Sequence, residues 1–357
     1  MSLDRSSGAV LGLASAALFG VSTPLAKQLL GAVDPWLLGG LLYLGAGVGL
    51  LVMRVLRGAR TRTEAPLRGA DLPWLAGAVV TGGLIGPVLL MIGLAATPGS
   101  FAALLLNLEA LATMAIAWIV FRENVDHRIL IGAAAILSGA LMLSWQNGPA
   151  GLGVGAFAIA GACLAWGIDN NLTRKISAAD PVTIAMIKGL VAGSVNLGLA
   201  LALGAHLPPP TPLIGAWIVG FFGYGVSLVL FVLALRKVGA ARTGAYFSTA
   251  PFIGAGVSVI VLGEPITLQL LFAGLLMASG VYLHVVERHD HEHTHEPLEH
   301  EHAHSHDDHH QHDHTPHDPI GEPHTHSHRH APMIHRHPHF PDLHHGHAHG
   351  RNLKRGA

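Results

Sequence analysis

Residues 100–121 read SFAALLLNLEALATMAIAWIVF, a run of 22 residues whose one ionisable side chain is Glu109. A helix needs about 20 mostly apolar residues to cross the hydrocarbon layer of a bilayer. The stretch therefore reads as a membrane span with a carboxyl about nine residues in. Working outward, comparable stretches lie at 8–30, 36–56, 73–96, 128–146, 151–174, 181–205, 212–235, 242–262 and 267–286, which makes ten in all. The breaks between them include Asp34-Pro35, Leu72-Pro73, Thr97-Pro98-Gly99, Asp180-Pro181 and the run His206-Leu207-Pro208-Pro209-Pro210. Each can end one helix or start the next. The expected fold class is an all-α integral membrane protein.

Composition agrees. The 357 residues are 50% hydrophobic and 12% charged, against about 25% charged in an average soluble protein. The near-zero net charge conceals two unlike regions that divide at Arg288. Residues 1–288 hold 16 Lys and Arg, 11 Asp and Glu, and three histidines; residues 289–357 hold 5, 11 and 24. A single cysteine, Cys163, excludes a disulfide framework and a CxxC metal or redox motif. The apolar run from 8 to 30 is longer than the core of a signal peptide, about 7–15 residues, and is read as the first span. There is no phosphate loop, HExxH or GxSxG, which excludes the common soluble-enzyme sites and an energy-coupling nucleotide site. Nothing in the chain points to nucleic acid.

Orientation follows from the basic residues. Arg54, Arg57, Arg60, Arg62 and Arg68, then Arg122 and Arg128, Arg174 and Lys175, and Arg236, Lys237 and Arg242 fall in the even-numbered connections. The odd-numbered connections carry none. The positive-inside rule then puts both termini in the cytoplasm of a multi-pass inner-membrane protein.

The body also repeats. Phe19-Gly20 through Lys27 matches Trp166-Gly167 through Arg174, Asp34-Pro35 matches Asp180-Pro181, Glu123 matches Glu264, and Ser138-Gly139 matches Ser279-Gly280. Five spans per copy is odd, so the second copy must enter the membrane from the opposite side. Inverted repeats of this kind recur in secondary transporters, with the site near the midplane where the repeats meet. The expected organisation is a first five-helix repeat at 1–147, a second at 148–288 and a tail at 289–357.

Phe19-Gly20 with Pro24 and Lys27, the Ala-rich fourth span ending in Phe121-Arg122-Glu123-Asn124, and Ala250-Pro251 followed by Leu262-Gly263-Glu264-Pro265 resemble the drug/metabolite transporter superfamily, EamA type. The resemblance covers about 1–288 and none of the tail. It implies a ten-helix secondary carrier for a small metabolite, often moved outward. The sequence departs from the family pattern at Ala110, where a proline equivalent to Pro251 is usual.

Ionisable groups inside a membrane are costly and mark function by default. Glu109 lies about 14 Å into its span at about 1.5 Å per residue, where burial penalises a charged carboxyl. That suits a proton-coupling or cation-binding group; the structural alternative is a hydrogen-bonded glutamate. Asn107 is about 200° around the helix from Glu109, so the two should not face one narrow cavity. Lys188 in the seventh span is the natural opposite charge for Glu109, unless it snorkels to the surface as Lys27 also could. Asp169, Asn170 and Asn171 interrupt the sixth span and should place at least one polar group toward the bundle. Asn196, Tyr224 and Tyr246 complete the substrate and coupling candidates, although tyrosine in such a bundle also serves as glue between helices. Glu123 and Glu264 read as end-caps or gate elements.

From His289 the chain alternates histidine with polar residues. His291, His293, His295, His300, His302, His304, His306, His324, His326, His328 and His330 are candidate metal ligands. Neutral imidazole suits zinc, nickel, cobalt or copper. Too few apolar residues remain for a core, so the tail is expected to be disordered. No cofactor is required on this reading. The partners are the lipid bilayer, a small-molecule substrate and divalent metal ions at the tail, and a homodimer is compatible. The leading expectation is a proton-coupled exporter of a small metabolite. The alternatives are a divalent-metal transporter supplied by the tail, and a membrane-tethered metal buffer or sensor that transports nothing.

Overall fold

The computed structural model describes residues 2–57, 66–121, 127–145, 153–176 and 179–285, and in the tail 289–295, 299–304, 324–329 and 333–339. The helices in chain order are α1 (Ser2–Leu29), α2 (Pro35–Arg57), α3 (Leu72–Ala78), α4 (Gly86–Ala95), α5 (Gly99–Leu105), α6 (Leu108–Phe121), α7 (His127–Ser144), α8 (Val154–Lys175), α9 (Pro181–Ala202), α10 (Pro210–Gly220), α11 (Ser227–Phe247), α12 (Ala250–Leu262) and α13 (Leu268–Val285). The Asp-Pro pairs start helices as expected. The Asp180 carboxylate accepts from the Val182 amide at 3.0 Å, and Asp34 accepts from the amides of Trp36 and Leu37 at 2.9 and 3.1 Å. Each aspartate satisfies donors that a helix start leaves unpaired.

Among the described residues, six helical stretches are long and apolar enough to cross a membrane: Gly8–Leu29, Pro35–Leu56, Gly69–Ala95, Gly99–Val120, Pro181–Ala202 and Pro210–Ala234. Three further expected spans correspond to the shorter apolar helices Leu130–Ser144, Ala250–Leu262 and Leu268–Leu283. The remaining one is α8, whose 22 residues include Asp169, Arg174 and Lys175. Length and apolarity therefore single out six spans, and the count of ten stands as an expectation.

One expected break is absent. Residues 236–241 were read as a connection because they are basic, yet α11 runs through them to Phe247. Arg, Lys and Ala are good helix formers, and no proline interrupts them.

Two irregularities recur 142 residues apart. Val79–Ile85 and Phe221–Val226 are π-helical turns, each joining two α-helical segments of one span. The fourth span is broken at Leu106-Asn107, between α5 and α6, and the chain breaks again at Ser248-Thr249, between α11 and α12.

Corresponding helices of the two halves pack on each other: α2 on α9, α5 on α12 and α7 on α13. The first of these contacts depends on glycine. A Cβ on Gly189 would stand 2.6 Å from the Gly47 backbone nitrogen, and one on Gly40 would stand 2.7 Å from that of Leu197. Small residues let these backbones touch, which is how membrane helices gain packing energy. The C-terminal end of α2 and the N-terminal end of α9 are joined as well, since Arg54 donates to Thr183 and lies 3.8 Å from Asp180.

In the tail, β1 (His289–His295) pairs antiparallel with β4 (Met333–His339), and β2 (Glu299–His304) with β3 (His324–Arg329). Strict alternation of histidine with other residues is itself a strand pattern. The register sets Glu292 opposite Arg336 and Glu299 opposite Arg329. His306 and His330 lie outside the described residues, as does Glu123.

Candidate functional site

The polar residues of the body meet where α8 and α9 pack against the first π-helical turn and α6 packs against α8. Asp169 and Lys188 form a buried ion pair, with Lys188 Nζ donating to Oδ1 at 2.7 Å and to Oδ2 at 2.6 Å. Thr173, one turn along α8, donates to the same Oδ1 at 2.8 Å. The expected partner of Lys188 was Glu109. Depth along a helix does not give the direction a side chain faces, and the lysine goes to Asp169 instead.

Glu109 stands in the first turn of α6, directly after the break in the fourth span. Its Oε1 accepts from Asn170 Nδ2 at 2.9 Å. The same amide group donates to Thr113 Oγ1 at 3.1 Å, and that hydroxyl donates back to the Glu109 carbonyl at 2.9 Å. Asn171 donates to the carbonyls of Thr113 and Gly167 at 3.1 and 2.8 Å. The helices can approach this closely because a Cβ on Gly167 would lie 2.8 Å from the Ala112 methyl. Asn107 and Glu109 do part company: Asn107 is buried, donates to the Leu104 carbonyl at 2.9 Å, and lies 3.9 Å from Met277 Sδ on α13.

A π-helical turn displaces backbone carbonyls from their usual helix partners, and side chains take up those of the first turn. Tyr43 Oη and Trp166 Nε1 both donate to Gly82 O, at 2.7 and 3.0 Å. Asn196 Nδ2 donates to Gly83 O and Leu84 O at 3.1 and 3.3 Å, while its Oδ1 accepts from Trp36 Nε1 at 3.3 Å. Above the turn the rings gather. Phe19 lies 6.4 Å from Trp166 and 5.9 Å from Tyr224, and Tyr224 lies 5.6 Å from Tyr43. Tyr246 stands apart from these polar groups, its ring against α1, where a Cβ on Gly12 would be 3.0 Å away.

Tyr43, Trp36, Trp166 and Thr113 were not singled out as site residues from the sequence. Aromatic and threonine side chains inside an apolar run give no signal of their own. Only the match of Trp166-Gly167 to Phe19-Gly20 marked one of these positions.

The other two charged candidates sit at the far end of the bundle, away from the arginine-rich connections. Lys27 Nζ donates to Leu94 O at 2.6 Å and Ala95 O at 3.2 Å. Glu264 accepts from the amides of Gly99 and Ser100 at 2.5 and 2.8 Å. A cation thus closes the C-terminal end of α4 and a carboxylate the N-terminal end of α5, both favourable to the helix dipoles. Lys27 does more here than snorkel. The two side chains line a cavity of about 480 Å³ together with Thr97, Phe101 and Thr267.

Among the described residues no group of three or more His, Cys, Asp or Glu side chains is arranged to hold a metal ion. In the tail, the backbone register sets histidine opposite histidine. The pairs are His289 with His339, His291 with His337 and His293 with His335 in one ladder, and His300 with His328, His302 with His326 and His304 with His324 in the other. His295 stands opposite Met333.

Comparison with known proteins gives a consistent picture. The model of the EamA-like transporter family matches twice, over residues 6–145 and 153–286. A protein of Methanothermobacter thermautotrophicus described as an "uncharacterized transporter" is 28% identical over 281 residues, covering 74% of this chain and 82% of its own. A solved crystal structure shares the fold with a TM-score of 0.58 at 18% identity, covering 78% of this chain and 96% of that one.

Proposed function

The chain belongs to the EamA-like transporter family, and from that premise we propose a secondary carrier that exports a small metabolite in exchange for protons. Membership makes the protein a multi-pass membrane transporter and not an enzyme. The finer reading rests chiefly on Glu109, a carboxyl at the break of the fourth span, bonded across to Asn170 on α8. Discontinuous helices with polar groups at the break are where secondary carriers place substrate and coupling sites. Support for ten spans in two inverted repeats comes from the doubled family match and from the irregularities that recur 142 residues apart. The basic residues favour cytoplasmic termini.

On this reading Glu109 carries the coupling proton, and Asp169, Lys188, Asn170, Asn171 and Asn196 hold the surrounding helices in register. Lys27 and Glu264 close the outer face. Solute flux into vesicles under an imposed pH gradient tests it. The full chain should show gradient-driven flux, and Glu109→Gln should lose the dependence on the gradient. Full proton-driven activity in that variant removes Glu109 from the mechanism.

A second reading is favoured by the histidine content of the tail, where residues 289–357 hold 24 histidines and a tetrahedral zinc site takes four ligands. Nickel, cobalt and copper accept the same donors. The tail would then bind divalent metal as a regulator, or deliver it as cargo. Comparing the full chain with a truncation after Arg288 separates the roles. Metal flux lost on truncation supports cargo. Organic-solute flux that survives truncation supports the carrier with a regulatory tail, and metal binding without any flux supports a tethered buffer.

A further inference from the structure

One end of the bundle gathers the basic segments and the start of the tail. Arg54, near the end of α2, reaches Thr183 and Asp180 at the start of α9, and α8 ends just before them at Arg174 and Lys175. Leu67, next to Arg68, packs against the cluster that holds Leu75, Ile176 and Ala179. α6 runs beside α8 in the same direction, since Cys163 Sγ lies 3.8 Å from the Leu105 carbonyl and Asn171 donates to that of Thr113. The segment after α6, with Arg122 and Arg128, therefore comes to the same end. α7 leaves from there and α13 returns along it, because a Cβ on Gly139 would stand 2.7 Å from Met277 and one on Gly280 would stand 2.6 Å from the Gly132 carbonyl. The chain thus leaves α13 at the end where Arg128 lies.

Charge changes sign across that junction. Segments 54–71, 122–128 and 174–180 together hold nine Lys and Arg against five Asp and Glu, and Arg68, Arg128 and Lys175 are exposed. Residues 290–322 hold ten Asp and Glu and no Lys or Arg. The rest of the tail, 323–357, has five basic residues and Asp342. Its Arg336 and Arg329 stand opposite Glu292 and Glu299 in the ladders, but five cations cannot match ten anions. A segment of one sign repels itself. Tethered to a surface of the other sign, it meets that surface at an effective concentration in the millimolar range. The attraction fades beyond about 8 Å at physiological salt, so the segment has to lie against the surface to gain from it. At about 3.3 Å per residue a segment of this length extends to roughly 100 Å, ample to cross the end of a helix bundle. Anionic headgroups are drawn to such cations too, but they bring no tether.

We propose that residues 290–322 dock on the basic end of their own bundle, against the surface marked by Arg68, Arg128 and Lys175. The contact does not depend on which solute the bundle carries. It holds the histidines interleaved with those acids against one end of the bundle instead of in bulk solution.

The test uses the full chain in nanodiscs of phosphatidylcholine and of phosphatidylcholine with phosphatidylglycerol. Ser177→Cys, between Ile176 and Ala179, and Thr315→Cys in the tail carry nitroxide labels, while the native Cys163 is buried. Pulsed electron paramagnetic resonance reads the distance between them at about pH 8 with a chelator present. Imidazoles, which ordinarily titrate near 6.5, are then neutral and metal-free. Freely tethered, a chain running from 285 to 315 spans about 30 Å with a broad spread. The docked pair is expected to show a shorter, narrower distribution at about 0.05 M salt that gives way to the broad one at about 1 M, where screening shortens to about 3 Å. Replacing four tail acids together, Asp307→Asn, Asp308→Asn, Asp313→Asn and Asp318→Asn, is expected to weaken docking about tenfold, as the loss of several surface pairs would. These positions lie outside the helices, and an unchanged thermal unfolding temperature confirms that the bundle is intact. A distribution that does not respond to salt overturns the proposal, as does one that the four replacements leave unchanged. A short distance in phosphatidylcholine that is lost with phosphatidylglycerol also overturns it, and assigns the basic end to lipid headgroups.

Discussion

At the scale of single residues, the Asp169–Lys188 pair sets the energetics of the centre. The side chains are 7% and 8% exposed, so neither charge has water to fall back on. Removing one partner of a buried pair strands the other, at a cost of about 3–5 kcal/mol, whereas replacing both with apolar groups is often close to neutral. Asp169→Asn should therefore lower the unfolding temperature sharply, and Asp169→Leu combined with Lys188→Met should recover most of the loss. Thermal unfolding in detergent measures both. A double variant as unstable as the single one would show that the pair is not the source of the penalty. Asn196→Ala removes the donor for Gly83 O and Leu84 O, and an unmet buried carbonyl costs about 1–3 kcal/mol. The same melts should rank it below Asp169→Asn in severity. Glu109 and Lys188 were both visible in the sequence, because ionisable residues are rare in apolar runs. That Lys188 serves Asp169 was not visible, since spacing along separate helices fixes depth but leaves rotation open.

At the scale of elements, the regular spans were legible and their defects were not. Asp34-Pro35 and Asp180-Pro181 announce helix starts through the chemistry of their own side chains, and both carboxylates are seen capping. The π-helical turn Val79–Ile85 reads VVTGGLI, which is simply an apolar run. Its displaced carbonyls are stabilised by Tyr43, Trp166 and Asn196, which come from three other elements. The break at Leu106-Asn107 likewise holds no proline or glycine. Such features are decided by tertiary partners, so a single-chain pattern cannot carry them. The extra residue of a π turn can be removed to test its role. Deleting Val80, an exposed residue in the turn, should let the segment close as ordinary α-helix and rotate the neighbouring segment by about 100°. Helix content by circular dichroism should hardly change, while solute flux should vanish because Gly82 O no longer meets Tyr43 and Trp166. Retained flux would show the turn to be incidental. The glycine contact of α2 with α9 makes a second claim at this scale. Gly189→Leu places a side chain where a Cβ alone would already be 2.6 Å from the Gly47 nitrogen, and overpacking of that kind costs about 1–3 kcal/mol or more.

At the scale of the whole molecule, charged side chains hold backbone at the end of the bundle away from the arginine-rich connections, and one of them, Glu264, joins the two halves. Lys27 from α1 takes the last carbonyls of α4, and Glu264, which follows α12, takes the first amides of α5. Ala96, Thr97 and Pro98 lie between those two grips as a short strap over the cavity. On the carrier reading proposed above, exposing the site alternately to the two sides would release this closure, and the strap would lift when Glu264 lets go of Gly99 and Ser100. Hydrogen bonds to a charged group contribute about 1.5–3 kcal/mol each, enough to hold the strap closed in most molecules without making release prohibitive. Thr97 is buried, and the one native cysteine, Cys163, is buried too, so Thr97→Cys provides a thiol that reports on the strap alone. Its labelling by a membrane-impermeant maleimide should be slow in the otherwise native chain. Adding Glu264→Ala should speed it about tenfold or more, as expected when at least 1.4 kcal/mol of closure is lost. Equal labelling rates with and without Glu264 would mean that this end of the bundle is held by packing instead, and that the carboxylate is only a helix cap.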